Sequence, residues 1–152
     1  MVLDEAGVRT RRLFVYGTLQ PHAGTRMASW IAARLVSARA ASVPGRMHAI
    51  RGGDGWFPAL VPAKGPSRVH GMLCSLHLEP GALARLDRYE GPEYRRVALP
   101  AYDPEAGRIE LAEVYLWRIA LPSGSPRIAS GDFLAWLQQT RRQAFSTKRN
   151  GN

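Results

Sequence analysis

The spacing of apolar and polar positions changes several times along the chain, and each change marks a predicted element. Leu13-Phe14-Val15-Tyr16 is an unbroken apolar run rich in aromatic and β-branched residues, which reads as a buried strand that Gly17 ends in a turn. Pro21 to Gly24 reads as a second turn, and Thr25 is placed to cap a helix with Met27, Trp30, Ile31 and Leu35 on one stripe. Val36 to Ala41 and Gly45 to Ile50 read as extended segments broken by Pro44. The polar, glycine-rich stretch Arg51 to Gly55 that follows is expected to be a mobile rim loop. Apolar character returns at Trp56 to Val61; after a turn at Lys64 to Ser67, a strand buried on both faces is expected from Arg68 to His77. Helical spacing runs from Glu79 to Glu90. Strands are expected at Tyr94 to Tyr102 and Ile109 to Ala120, with a polar turn at Asp103 to Gly107, and a last helix from about Gly131 to Arg142. Without a repeat or a linker, residues 1–142 are expected to form a single domain. The polar stretch 143–152 is expected to be a disordered basic tail.

Composition narrows the class. A chain of 152 residues can bury a core without disulfides or a structural metal, and 45% hydrophobic with 22% charged residues is ordinary for a globular protein. No apolar run approaches the roughly 20 residues of a membrane helix, so no membrane partner is expected. Met1 to Arg12 carries Asp4 and Glu5 and no apolar segment, so it does not read as a secretory signal, and a cytoplasmic protein is expected. The net charge of +9 invites a nucleic-acid reading, yet more than half of the excess sits at the two ends of the chain. The interior basic residues are scattered and lack the interleaved aromatics of single-strand binders, so solvated surface charge is the better account. Cys74, flanked by Met72, Leu73 and Leu76, reads as a buried structural thiol. His22, His48, His70 and His77 have no metal-ligand spacing, and neither a Walker motif nor a dinucleotide-binding glycine fingerprint is present. No metal and no cofactor are expected.

Two stretches carry candidate chemistry. In the turn after the first strand, the backbone N–H groups of Gly17, Thr18 and Leu19 can converge into a nest for a carboxylate or a developing oxyanion. In the helix ending at Glu90, Leu83 and Leu86 stand at i and i+3 and Glu90 at i+7, so a carboxylate extends the apolar stripe. Gly91 and Pro92 place Glu90 in the last turn, where the helix dipole and desolvation both raise proton affinity, as a group for proton transfer near neutral pH requires. The alternative is a Glu90 that faces water. Asp87 is expected to face solvent or cap its own surroundings. Tyr115 shares a strand face with Leu111, Trp117 and Ile119 and reads as core, with a hydroxyl that can reach a polar site.

Together these residues resemble the γ-glutamylcyclotransferase-like superfamily, which includes AIG2-like proteins and γ-glutamylamine cyclotransferases. Phe14-Val15-Tyr16-Gly17-Thr18-Leu19 is similar to that family's Tyr-Gly-Ser/Thr-Leu loop. Leu86-Asp87-Arg88-Tyr89-Glu90-Gly91, followed by Tyr94-Arg95-Arg96, is similar to its Leu-Asp-x-x-Glu-Gly…Tyr-x-Arg motif. Phe57-Pro58-Ala59-Leu60, Ala112 to Trp117 and Ile128 to Phe133 are weaker matches. His48, where an aromatic residue commonly stands, and Arg51 to Gly55, which reads as a local insertion, depart from the pattern and bear on substrate choice. The resemblance implies a mixed α/β (α+β) fold, a small β-barrel flanked by helices. It implies a cofactor-independent enzyme acting on a small γ-glutamyl compound, with Glu90 catalytic and Tyr16, Gly17, Thr18, Leu19 and Tyr115 at the substrate. The reaction implied is attack of the α-amine on the γ-carbonyl, giving 5-oxoproline and a released amine or amino acid. The rivals are a non-catalytic relative that binds a γ-glutamyl metabolite and, from another class, a basic nucleic-acid binder. The leaving group and the oligomeric state are not readable from the sequence.

Overall fold

A computed structural model describes residues 9–20 and 23–145. The expected turn at residues 21 and 22 and the tail from 146 onward therefore lie outside the described residues. Five strands close a barrel: β1 (Arg9–Val15), β2 (Leu35–Pro44), β5 (Arg68–Leu78), β6 (Tyr94–Asp103) and β7 (Arg108–Trp117). Their order around it is β1-β5-β2-β6-β7, and β7 returns to β1 in parallel at Leu13 opposite Glu113. The hairpin β3 (Arg46–Gly52) and β4 (Gly55–Val61) stands apart as a two-stranded ribbon. Helices α1 (Arg26–Ala32), α2 (Ala82–Glu90) and α3 (Phe133–Thr140) complete a small α+β architecture.

The unbroken apolar run at the end of β1 has a direct cause. Leu13 and Val15 belong to one hydrophobic cluster, with Met27, Ile31, Leu76 and Leu86, whereas Phe14 and Tyr16 belong to a second, with Val43, Leu60, Val69 and Phe133. Alternate side chains point to opposite faces of a strand, so a strand between two cores is apolar at every position. β5 feeds both clusters too, through Cys74 and Leu76 on one side and Val69 and Leu73 on the other, but His70 and His77 are exposed, so its faces are less completely buried than expected. Cys74 is fully buried and its thiol is pushed up to about 12 by burial, which suits a structural role.

Thr25 caps α1 as expected: its Oγ1 accepts from the Ala28 N–H at 3.1 Å. Met27, Ala28 and Ile31 are buried, and Leu35, expected on the same helix, instead opens β2. Trp30 is partly buried against the first cluster, and its ring is covered by the Arg34 guanidinium at 3.8 Å and by Arg85 of α2 at 5.4 Å.

The stretch Arg51 to Gly55, expected to be a loop, is the paired tip of a hairpin. Arg51 pairs with Trp56 and Gly52 with Gly55, so only Gly53 and Asp54 form the loop of a tight hairpin. Gly53 has φ 34°, the positive value a two-residue hairpin turn needs. The glycines that break the apolar pattern are thus part of the pairing. The tail expected to be disordered from Gln143 is likewise ordered through Phe145. Arg141 turns left-handed (φ 55°) after α3 and reverses the chain, and Ala144 then bridges in parallel to Trp56. Backbone hydrogen bonds to the ribbon edge order these residues, an effect that composition does not register.

Candidate active site

The turn after β1 and the end of α2 meet in one cavity, at the ribbon's side of the barrel. Tyr16, Gly17, Thr18 and Leu19 line one part of it, Glu90 and Tyr115 another, and Phe57, Pro58, Tyr94 and Phe145 much of the rest. All six residues singled out in the sequence thus reach the same space. Tyr94, Phe57 and Pro58 were visible there as parts of motifs without an assigned role; Phe145 carried no signal. About 40 Å³ is free within these walls, room for a few water molecules.

The turn is built tightly. Gln20 N–H bonds to the Gly17 carbonyl at 3.2 Å, closing residues 17–20, and the Thr25 hydroxyl that caps α1 also donates to the Thr18 carbonyl at 2.7 Å. Thr25 therefore ties the turn to the helix that follows it. A Cβ on Gly17 would stand 2.7 Å from Pro58 Cγ, so glycine is required by the close approach of β4 rather than by a positive φ.

Glu90 is half-buried in the last turn of α2, and Gly91 ends the helix with φ 92° and an N–H bonded to the Asp87 carbonyl at 3.0 Å. Three buried phenols surround the same cavity, and each has a fixed donor direction. Tyr16 Oη donates to the Tyr115 carbonyl, and Tyr94 Oη to the Pro58 carbonyl, each at 2.5 Å. Tyr115 Oη donates to Asp87 Oδ1 at 2.7 Å. Each proton is spent on the protein, and the Tyr16 oxygen also takes a backbone hydrogen bond from Leu60. Burial pushes all three phenols well above their ordinary range, and the nearby negative charge of Glu90 adds to the shift in each.

Asp87, expected to face solvent or cap its own surroundings, is 44% exposed and also joins a side-chain network. Besides the Tyr115 hydroxyl, it accepts from Arg96 Nε at 2.9 Å, and Arg96 continues to Glu113, which pairs with Arg11 at 2.6 Å. Burial works to raise the Asp87 carboxyl, but the bonds from Arg96 and Tyr115 outweigh it and hold the group below the usual carboxylate range. The same Asp87 bond comes first in raising the Arg96 guanidinium. The network crosses from α2 to β6, β7 and β1 and sets the Tyr115 ring. Tyr115 and Trp117 are buried as expected of core positions, whereas Leu111 is exposed and Ile119, also exposed, lies beyond the strand, which ends at Trp117 rather than at Ala120 as expected.

No curated protein sequence matches the chain. Solved structures match its fold. The chain aligns with YkqA of Bacillus subtilis at 19% identity and TM-score 0.65 over 88% of its own length, but spans only 43% of that protein. An AIG2-like protein of Mus musculus aligns at 20% identity and TM-score 0.61, over 82% of this chain and 88% of that one. A protein of Arabidopsis thaliana aligns at 24% identity and TM-score 0.62, over 87% and 83%. A family model described as gamma-glutamyl cyclotransferase, AIG2-like, matches residues 13–135, from the buried end of β1 into α3. That span contains the Tyr16–Leu19 turn, Glu90 and Tyr115, and the chain belongs to the gamma-glutamyl cyclotransferase, AIG2-like family.

Proposed function

We propose that the protein is a γ-glutamylcyclotransferase-type enzyme that cyclises a γ-glutamyl compound to 5-oxoproline and releases an amine or amino acid. The observation that carries this reading is one cavity holding a carboxylate, three phenol oxygens whose protons are already spent, and a tight backbone turn. The Glu90 carboxylate and the Tyr115 oxygen suit a substrate ammonium group, and the N–H groups of the turn suit its carboxylate and γ-carbonyl oxygens. A folded γ-glutamyl chain held this way brings its α-nitrogen to its own γ-carbonyl, so the cyclisation gains from proximity and needs no nucleophile from the protein.

The bound ammonium first loses one proton to solvent, which exposes its lone pair; Glu90 then takes a second proton from the α-amine as the C–N bond forms, and Gly17, Thr18 and Leu19 hold the oxyanion of the tetrahedral intermediate. Glu90 then returns the proton to the leaving nitrogen as the γ-amide bond breaks. Tyr115, set by Asp87, accepts from the substrate nitrogen and keeps it facing the carbonyl. Glu90→Gln should keep its thermal stability and lose about 10²- to 10⁴-fold in turnover, read as 5-oxoproline released from a panel of γ-glutamyl amino acids and amines. Wild-type-like turnover by that variant would remove Glu90 from the mechanism.

A further inference from the structure

The residues that follow α3 form part of the candidate site, although they lie outside the family match. We propose that residues 143–145 form a strap across the mouth of the cavity, and that Phe145 is the specificity-determining side chain that restricts the leaving group to compact amines. The proposal takes its substrate class from the cyclotransferase reading, while the strap itself rests on geometry alone.

The strap is an added strand. Trp56 N–H bonds to the Gln143 carbonyl at 3.0 Å, Phe145 N–H returns to the Trp56 carbonyl at 2.8 Å, and Gln143 Nε2 bonds to the Asp54 carbonyl at 2.9 Å. Its root is held as well: the Arg142 guanidinium lies 5.2 Å from the Trp56 ring and 4.9 Å from that of Trp136 on α3. The hairpin is shaped to receive it. A Cβ on Gly55 would stand 2.5 Å from the Ala144 carbonyl and from Gln143 O, and one on Gly53 would stand 3.0 Å from the Phe145 ring. The glycine-rich tip therefore leaves the space that the strap fills.

Phe145 then packs on Phe57, with ring centroids 5.7 Å apart, and both rings wall the cavity. With Phe145 seated, about 40 Å³ is enclosed, and a leaving group that extends to this side meets the ring. A compact leaving group requires a small shift, whereas a bulky one meets the ring and the strap backbone behind it.

The test compares γ-glutamyl-alanine with γ-glutamyl-phenylalanine in full-length wild type, Phe145→Ala and Gly55→Val. Phe145→Ala removes the ring; Gly55→Val leaves it in the sequence and displaces the strap, since the three atoms nearest the added Cβ, each at 2.5 Å, are all strap backbone. Wild type should favour the alanine compound in kcat/KM, and both variants should reduce that preference about tenfold or more. An unchanged preference in both would overturn the proposal. Should no protein release 5-oxoproline, the cyclotransferase reading fails, and hydrogen exchange decides the strap separately. The amide protons of Trp56 and Phe145 should be protected in wild type and exchange at least tenfold faster in either variant; equal exchange would mean that no strap exists in solution.

Discussion

At the residue scale, the site depends on where protons are already committed. Tyr115 points its hydroxyl at Asp87, and Asp87 is fixed by Arg96, so a residue that does not line the cavity decides which face of a lining phenol is free. This arrangement depends on pH. Because the folded Asp87 carboxyl titrates below its unfolded value, its contribution to stability is fully present above about pH 4 and is lost as pH falls through the folded value. Asp87→Asn should therefore lower the melting temperature at neutral pH, and the gap to wild type should close as pH falls below about 4. The side chain is 44% exposed, so the effect should be modest. A gap independent of pH would show that Asp87 acts through packing rather than charge. Glu90 was legible in the sequence because an acid on an apolar helical stripe is anomalous. Asp87 was not, since its partners come from β6 and β7, which are distant in sequence.

At the element scale, one threonine holds the start of α1 and the candidate binding turn together. Thr25 Oγ1 accepts from Ala28 N–H and donates to the Thr18 carbonyl, so both hydrogen-bonding functions of the hydroxyl are used. Thr25→Ala should cost about 0.5–2 kcal/mol in denaturant unfolding. It should also raise KM for a γ-glutamyl substrate more than it lowers kcat, because the turn loses its tether while Glu90 is untouched. Thr25→Ser keeps the hydroxyl and should restore both quantities; a serine variant as impaired as alanine would assign the effect to the lost methyl group. The cap itself was readable from Thr25 ahead of Met27, Trp30 and Ile31. The second bond was not, because nothing local to residues 25–31 specifies a contact with Thr18.

Over the whole molecule, the barrel fixes the distance between the two halves of the site. β1 ends in the candidate binding turn and lies beside β5, and a Cβ on Gly71 of β5 would stand 2.2 Å from the Val15 carbonyl and 3.0 Å from Tyr16 Cα. Gly71→Ala should therefore separate β5 from the end of β1, at about 1–3 kcal/mol. Its effect on turnover should exceed that of Thr25→Ala, since the first residue of the turn moves with its strand. Retained stability and activity would mean that the strands can part there without moving Tyr16.

The sequence by itself determined the elements and the two chemical ends of the site. Apolar periodicity located most strands and all three helices, and the motif pair Tyr16 to Leu19 and Leu86 to Gly91 pointed to the family. These signals are local: they rest on backbone propensity and on side chains within a turn or two of each other. Tertiary structure alone decided that Gly17 answers to Pro58, that Arg51 to Gly55 is a paired hairpin tip, and that Phe145 lines the cavity. Each of these depends on a close approach between segments far apart in the chain. Such contacts leave no periodic trace, because a glycine that makes room for a distant strand has the same local pattern as one that makes a loop.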